Sequence, residues 1–111
     1  MKVYWTDRAK ARLKNIQQYI AEDSPQAALK VVDRITSRSQ QLIDLPHSGS
    51  LVREYHRDDV RELLEKPYRI IYKIKPDQID VLTVMHYRQV LPQDIQLFLR
   101  SINADEPDTS S

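Results

Sequence analysis

At 111 residues, with 41% hydrophobic and 30% charged side chains, the chain suits one domain around a single two-layer core and is too small for two. No apolar run approaches the ~18 residues that cross a bilayer, and the N-terminus lacks the pattern of a signal peptide. The absence of cysteine excludes a disulfide scaffold and thiolate metal sites, and it suits a reducing cytoplasm. The net charge of +1 is unevenly spread, because residues 103–111 carry Asp105, Glu106 and Asp108 and no basic residue. The remainder holds 17 basic against 13 acidic residues, a mildly basic body compatible with an acidic partner or with nucleic acid.

Val3, Tyr4 and Trp5 suit a short strand. Thr6 then occupies an N-cap position, with Asp7 in the first turn to complement the helix dipole. Ala9, Leu13, Ile16 and Ile20 share one helical face over about residues 7–22. Ser24-Pro25 repeats the start signal, a capping hydroxyl before a proline at the first helical position. Ala28, Val31, Val32, Ile35 and Leu42 mark the buried stripe of a second helix over about 25–44, which must end before Pro46. With so short a link the two form an antiparallel hairpin.

Pro46-His47-Ser48-Gly49 is loop chemistry, and the period then changes from helical to alternating. Val52 suits a weakly paired segment, and Val60 to Leu64 a strand. In the next strand Tyr68, Ile70, Tyr72 and Ile74 face one way and Arg69, Ile71, Lys73 and Lys75 the other. Pro76-Asp77 supplies a turn, and Ile79 to Met85 suits a central strand. Pro92 opens a last short helix with Ile95, Phe98, Leu99 and Ile102 on its inner face. The tail, 103–111, reads as disordered, leaving one domain over 1–102. The expected fold is α+β, a helical hairpin on one face of a small, mainly antiparallel sheet with its second face partly open.

Several of these segments are similar to the ParE/RelE toxins. Val60-Arg61-Glu62-Leu63, Tyr68-Arg69-Ile70-Ile71-Tyr72 and Val81-Leu82-Thr83-Val84-Met85-His86 resemble that superfamily's three successive strands. Trp5-Thr6 with Ala9, Leu13 and Ile16, the run from Tyr19 through Asp23 and Pro25 to Ala28, and Leu42-Pro46-Gly49 resemble its upstream motifs. The similarity spans about residues 3–100. One departure is Ser50, where the family often has a basic residue after the hinge glycine.

The resemblance implies the toxin of a toxin–antitoxin pair, with a cognate antitoxin whose disordered segment folds as it docks on the open sheet face at Arg61, Arg69, Ile71 and Arg88. Two activities occur in the superfamily. ParE-like members resemble inhibitors of DNA gyrase, and RelE-like members resemble ribosome-dependent ribonucleases that cut messenger RNA. A metal-free ribonuclease needs an acid or base and cations on the phosphate, roles open here to His86 or Tyr87 and to Arg69 and Arg88. Arg53, Arg57 and Arg61, however, alternate with Glu54, Asp58 and Asp59, which makes a poor RNA cradle. The gyrase-directed reading is therefore preferred, with no catalytic residue. On the residues alone Arg69 reads as a solvated arginine paired with Glu62 or Glu65, and Trp5 as core. Gly49 reads as a backbone requirement. His47, His56 and His86 show no metal-ligand spacing, so no metal or other cofactor is expected.

Overall fold

The computed structural model describes residues 1–97 apart from 56, 92 and 94. In chain order the elements are β1 (Lys2–Trp5), α1 (Asp7–Ala21), α2 (Pro25–Gln40), β2 (Ser50–Leu51), β3 (Val60–Glu65), β4 (Tyr68–Ile74) and β5 (Gln78–His86). A single 3₁₀ turn, Gln41–Ile43, continues α2 before the Pro46 loop. Both predicted caps form: the Thr6 hydroxyl accepts from the Ala9 N–H, and that of Ser24 from the Ala27 N–H. Residues 93 and 95–97 are helical, while Phe98, Leu99, Ile102 and the tail 103–111 lie outside the described residues.

The sheet runs β1-β5-β4-β3-β2, with every pairing antiparallel except β1 on β5. Short hairpin links can only reverse the chain, which dictates the three antiparallel pairs. β1 reaches its parallel place because the whole helical hairpin lies between it and the later strands. Strand alternation then divides the core in two. Ile70 and Tyr72 face the hairpin with Ile79, Val81, Val84, Ile35, Leu42 and Ala9, flanked by Trp5, Leu13 and Ile16. The Trp5 indole N–H donates to Ser39 Oγ at 3.2 Å, so this ring is a core wall with a satisfied donor. On the hairpin, Val31 rather than Val32 packs against this cluster.

The second face is not open. Ile71, Leu82 and Met85 are covered by Val52 and Tyr55, from the segment between β2 and β3, and by Leu91 and Ile95 after β5. The charges of residues 53–59 hide this, since Val52 comes just before them and Tyr55 turns inward among them. A β-bulge adjusts β5 to both cores. Ile71 pairs with Thr83 but Tyr72 with Val81, so Leu82 is an extra residue on β5. Val81 and Val84 thereby both face the hairpin although three residues apart.

Gly49 is required by close approach, not by an unusual φ. A Cβ there would lie 2.5 Å from the Glu62 carbonyl oxygen and 2.5 Å from the Tyr72 hydroxyl. That hydroxyl accepts from the Gly49 N–H at 2.9 Å and donates to the Pro46 carbonyl at 2.9 Å, fixing the loop to the sheet. Burial pushes the Tyr72 phenol pKa up, so the hydroxyl keeps its donor proton.

Ile70→Ala should cost about 2–5 kcal/mol in denaturant unfolding, since the side chain is wholly buried. Gly49→Ala should cost about 1–3 kcal/mol through overpacking. Tyr72→Phe removes one of the two oxygens in the way, so the double variant should lose less than the sum of the singles. Strict additivity would show that the hydroxyl does not set the space at Gly49.

Candidate functional site

Alternation along β4 turns Arg69 away from the hairpin, and the covering segments then bury it: its side chain is 2% exposed. Nε donates to Glu62 Oε2 at 3.0 Å, Nη1 to Glu54 Oε2 at 2.9 Å, and Nη2 to Glu54 Oε1 at 2.7 Å and to Glu62 Oε2 at 2.5 Å. Nη1 also donates to the Gln89 carbonyl at 3.0 Å. A guanidinium has five N–H donors, and these five bonds use all of them. Glu54 Oε2 further accepts the Leu91 N–H at 2.6 Å. The hydrogen bonds from Arg69, with help from Leu91, hold the Glu54 carboxyl at about 2 against its ordinary 4.5, although burial opposes this. Glu54 and Glu62 in turn hold the proton on Arg69 more firmly than usual. The expected solvated arginine is therefore a buried ionic clamp, and Glu54 is its second partner in place of Glu65.

Of the residues expected to meet an antitoxin, only Arg88 is exposed. Ile71 lies in the second core at 0% exposure. Arg61 is stitched to the loops, its Nη1 donating to the Gly49 carbonyl at 2.9 Å and its Nη2 to Asp58 Oδ1 at 2.7 Å. A partner reaches Arg69 or Ile71 only if the covering segments lift. The neighbouring cations are also matched locally: Arg57 lies 2.6 Å from Asp59, and Arg53 3.7 Å from Glu54.

His86, Tyr87 and Arg88 form a compact turn at the end of β5. The Arg88 N–H donates to His86 Nδ1 at 3.2 Å, which leaves the proton of the neutral ring on Nε2. Arg88 Nε donates to the Tyr87 hydroxyl at 3.0 Å, and the His86 and Tyr87 rings stack at 4.9 Å. His86 is the cross-strand partner of Tyr68 and meets its ring edge-on at 6.3 Å. Tyr68 belongs to the hairpin side and Arg69 to the other, so the sheet separates His86 from Arg69. Of the two arginines expected to clamp phosphate, Arg69 is fully engaged by Glu54, Glu62 and Gln89, whereas Arg88 is exposed.

The structure also shows a groove that the motifs did not indicate. Arg12, Asn15, Ile16 and Tyr19 of α1 form one wall, Tyr68 and Val84 the floor, and Met85, His86, Gln89 and Val90 the other wall, enclosing about 370 Å³. Tyr68 is desolvated there, which raises its phenol pKa. The signal was the spacing of Arg12, Asn15 and Tyr19, which places them in one row beside the buried stripe of α1. Among the described residues, no cluster of His, Cys, Asp or Glu could hold a metal ion. No described helix is long and apolar enough to cross a membrane.

The clamp makes a stability prediction. Arg69→Ala leaves Glu62 without its cation and Glu54 with only the exposed Arg53 at 3.7 Å, and should cost about 3–5 kcal/mol. The folded pKa of Glu54 is depressed, so its contribution is present above 4.5 and is lost as pH falls toward about 2. Urea unfolding across that window should show a marked acid loss in the wild type and a smaller one in Arg69→Ala.

A family model described as the ParE toxin of the type II toxin–antitoxin system parDE matches residues 3–91. Putative toxin Y4kP of Sinorhizobium fredii is 42% identical over 94 residues, covering 83% of this chain and 94% of the relative. Toxin RelE2 of Caulobacter vibrioides is 31% identical over 84 residues, covering 76% and 92%. A solved structure titled as the chromosomal ParDE TA system from P. aeruginosa superposes with a TM-score of 0.65 at 29% identity, covering 78% of this chain and 95% of that one. The strand order, the hairpin and these relatives agree, and the chain belongs to the ParE toxin family of type II toxin–antitoxin systems.

Proposed function

We propose that this toxin acts in the cytoplasm on DNA gyrase by binding to it, and that its cognate antitoxin neutralises it by occupying its surface. The observation that carries the choice of binding over cleavage is the state of Arg69. All five of its donors are taken by Glu54, Glu62 and Gln89, and it lies across the sheet from His86. A ribonuclease needs a cation free to meet phosphate beside its acid or base. The loop arginines offer no substitute, because Arg57 and Arg61 face Asp59 and Asp58.

The second reading is ribosome-dependent cleavage of messenger RNA, favoured by the similarity to a toxin named RelE2. It would rest on His86, Tyr87 and Arg88, which form one exposed turn.

The two readings differ in what single side chains do. Loss of a general acid or base costs roughly 10²–10⁴-fold in rate, whereas binding energy is spread over an interface. Under the gyrase reading His86→Ala and Tyr87→Phe should still arrest growth, and purified protein should produce cleaved plasmid with gyrase. Ribosome-dependent cuts in a translated message, abolished by either variant and with gyrase untouched, would establish the ribonuclease instead.

A further inference from the structure

We infer that the outer edge of β1 pairs with the same edge of a second copy of the chain, antiparallel about a twofold axis at Tyr4. β1 ends the sheet, and among the described residues it pairs with β5 alone. The Thr6 N–H donates to the Val81 carbonyl at 3.2 Å. By strand alternation Lys2 and Tyr4 therefore turn their backbone groups to β5, while Val3 and Trp5 turn theirs outward. Such a row of outward amides is a template for another strand unless proline, a bulge or an inward charge spoils it. β1 has none of these, and Lys2 at its start is its single charged residue. The opposite edge, β2, is two residues long and offers little to pair with.

The β1 edge is complementary to itself, and this selects a second copy as its occupant. With Tyr4 opposite Tyr4 of the other copy, Val3 of each exchanges both backbone hydrogen bonds with Trp5 of the other. Every outward group of the strand is then used. Lys2 falls opposite Thr6, and Met1 opposite Asp7, which sets an amino terminus beside an exposed carboxylate at each end of the ribbon. No like charges meet. Apolar surface flanks the edge on both sides of the sheet. Tyr4 is 42% exposed on one side, and on the other stand Met1 at 41% and Ile43 at 40%, joined by the bond from the Met1 amino group to the Ile43 carbonyl at 2.7 Å. A contact built on so short a strand is small, so the dimer is weak and forms as concentration rises.

The test exploits the absence of cysteine from the sequence. At the axis the two Tyr4 positions form a non-hydrogen-bonded pair with Cα atoms about 4.5 Å apart, within the ~4.4–6.8 Å that a disulfide spans. The two Lys2 positions lie about 14 Å apart along the ribbon, beyond that reach. Full-length Tyr4→Cys, Lys2→Cys and Leu29→Cys, the last exposed on α2, are oxidised with copper–phenanthroline and resolved on non-reducing gels. Tyr4→Cys should form covalent dimer at least about tenfold faster than either of the others. Sedimentation velocity of wild type from roughly 10 μM to 1 mM should show the mass climbing toward that of a dimer. Tyr4→Lys, which opposes two ammonium groups at the axis, should stay monomeric while circular dichroism shows it folded. Crosslinking of Tyr4→Cys no faster than that of Leu29→Cys, or a wild-type mass that never rises, would overturn the self-pairing. Faster crosslinking at Lys2→Cys than at Tyr4→Cys would overturn the axis at Tyr4. Wild type that is monomeric alone, with Tyr4→Cys shielded from maleimide once antitoxin is added, would give the edge to a strand of the antitoxin instead.

Discussion

A guanidinium buried in a sheet face is the constraint around which the second half of this molecule is arranged. Arg69 sits on the central strand, where water cannot solvate it, so its charge must be met by protein groups. They come from three places: Glu62 on the adjacent strand, Glu54 on the loop before it, and the Gln89 carbonyl after the last strand. Satisfying one side chain therefore fixes the course of two irregular segments. Replacing a buried ion pair by apolar groups is often neutral for stability, so its distinctive effect here is positional. It determines where Val52, Tyr55 and Leu91 come down on the sheet.

That arrangement leaves the two faces with different character. The side bearing Arg69 is closed by the chain's own loops, and its cations are balanced by adjacent carboxylates. The hairpin side holds the larger core, yet α1 and the end of β5 diverge enough to leave a cleft with no acidic lining. At the cleft's rim Tyr19 and Val90 leave large apolar surface uncovered.

The elements were legible because their signals are local. Thr6, Ser24-Pro25 and Pro46 punctuate the hairpin through capping geometry and the missing proline N–H. The alternation from Tyr68 to Ile74 sorts that strand's two faces correctly. The covering of the second face was not legible, since the charges of residues 53–59 mask two inward-facing apolar residues. Nor was the partner of Arg69. Glu54 is fifteen positions away, and only the folded loop brings it within hydrogen-bond distance. Arg69 and Ile71 followed the expected strand direction, but direction alone does not reveal whether a face is exposed. The groove escaped because it joins one helix flank to a strand end some seventy residues later, a juxtaposition no spacing rule contains.

The parallel pairing of β1 has a consequence for how the toxin is made. Lys2 pairs with Gln78 and Trp5 with Val81, so the first strand finds its partner only after more than two thirds of the chain has been synthesised. The helical hairpin can form early from local contacts, but its apolar stripe then waits for the sheet it packs against. Closing so long a loop is a slow step relative to forming helices. The walls of the groove come from the same distant regions, and they do not exist until β5 has left the ribosome and docked. The groove thus appears only in one late event, after most of the chain has been made.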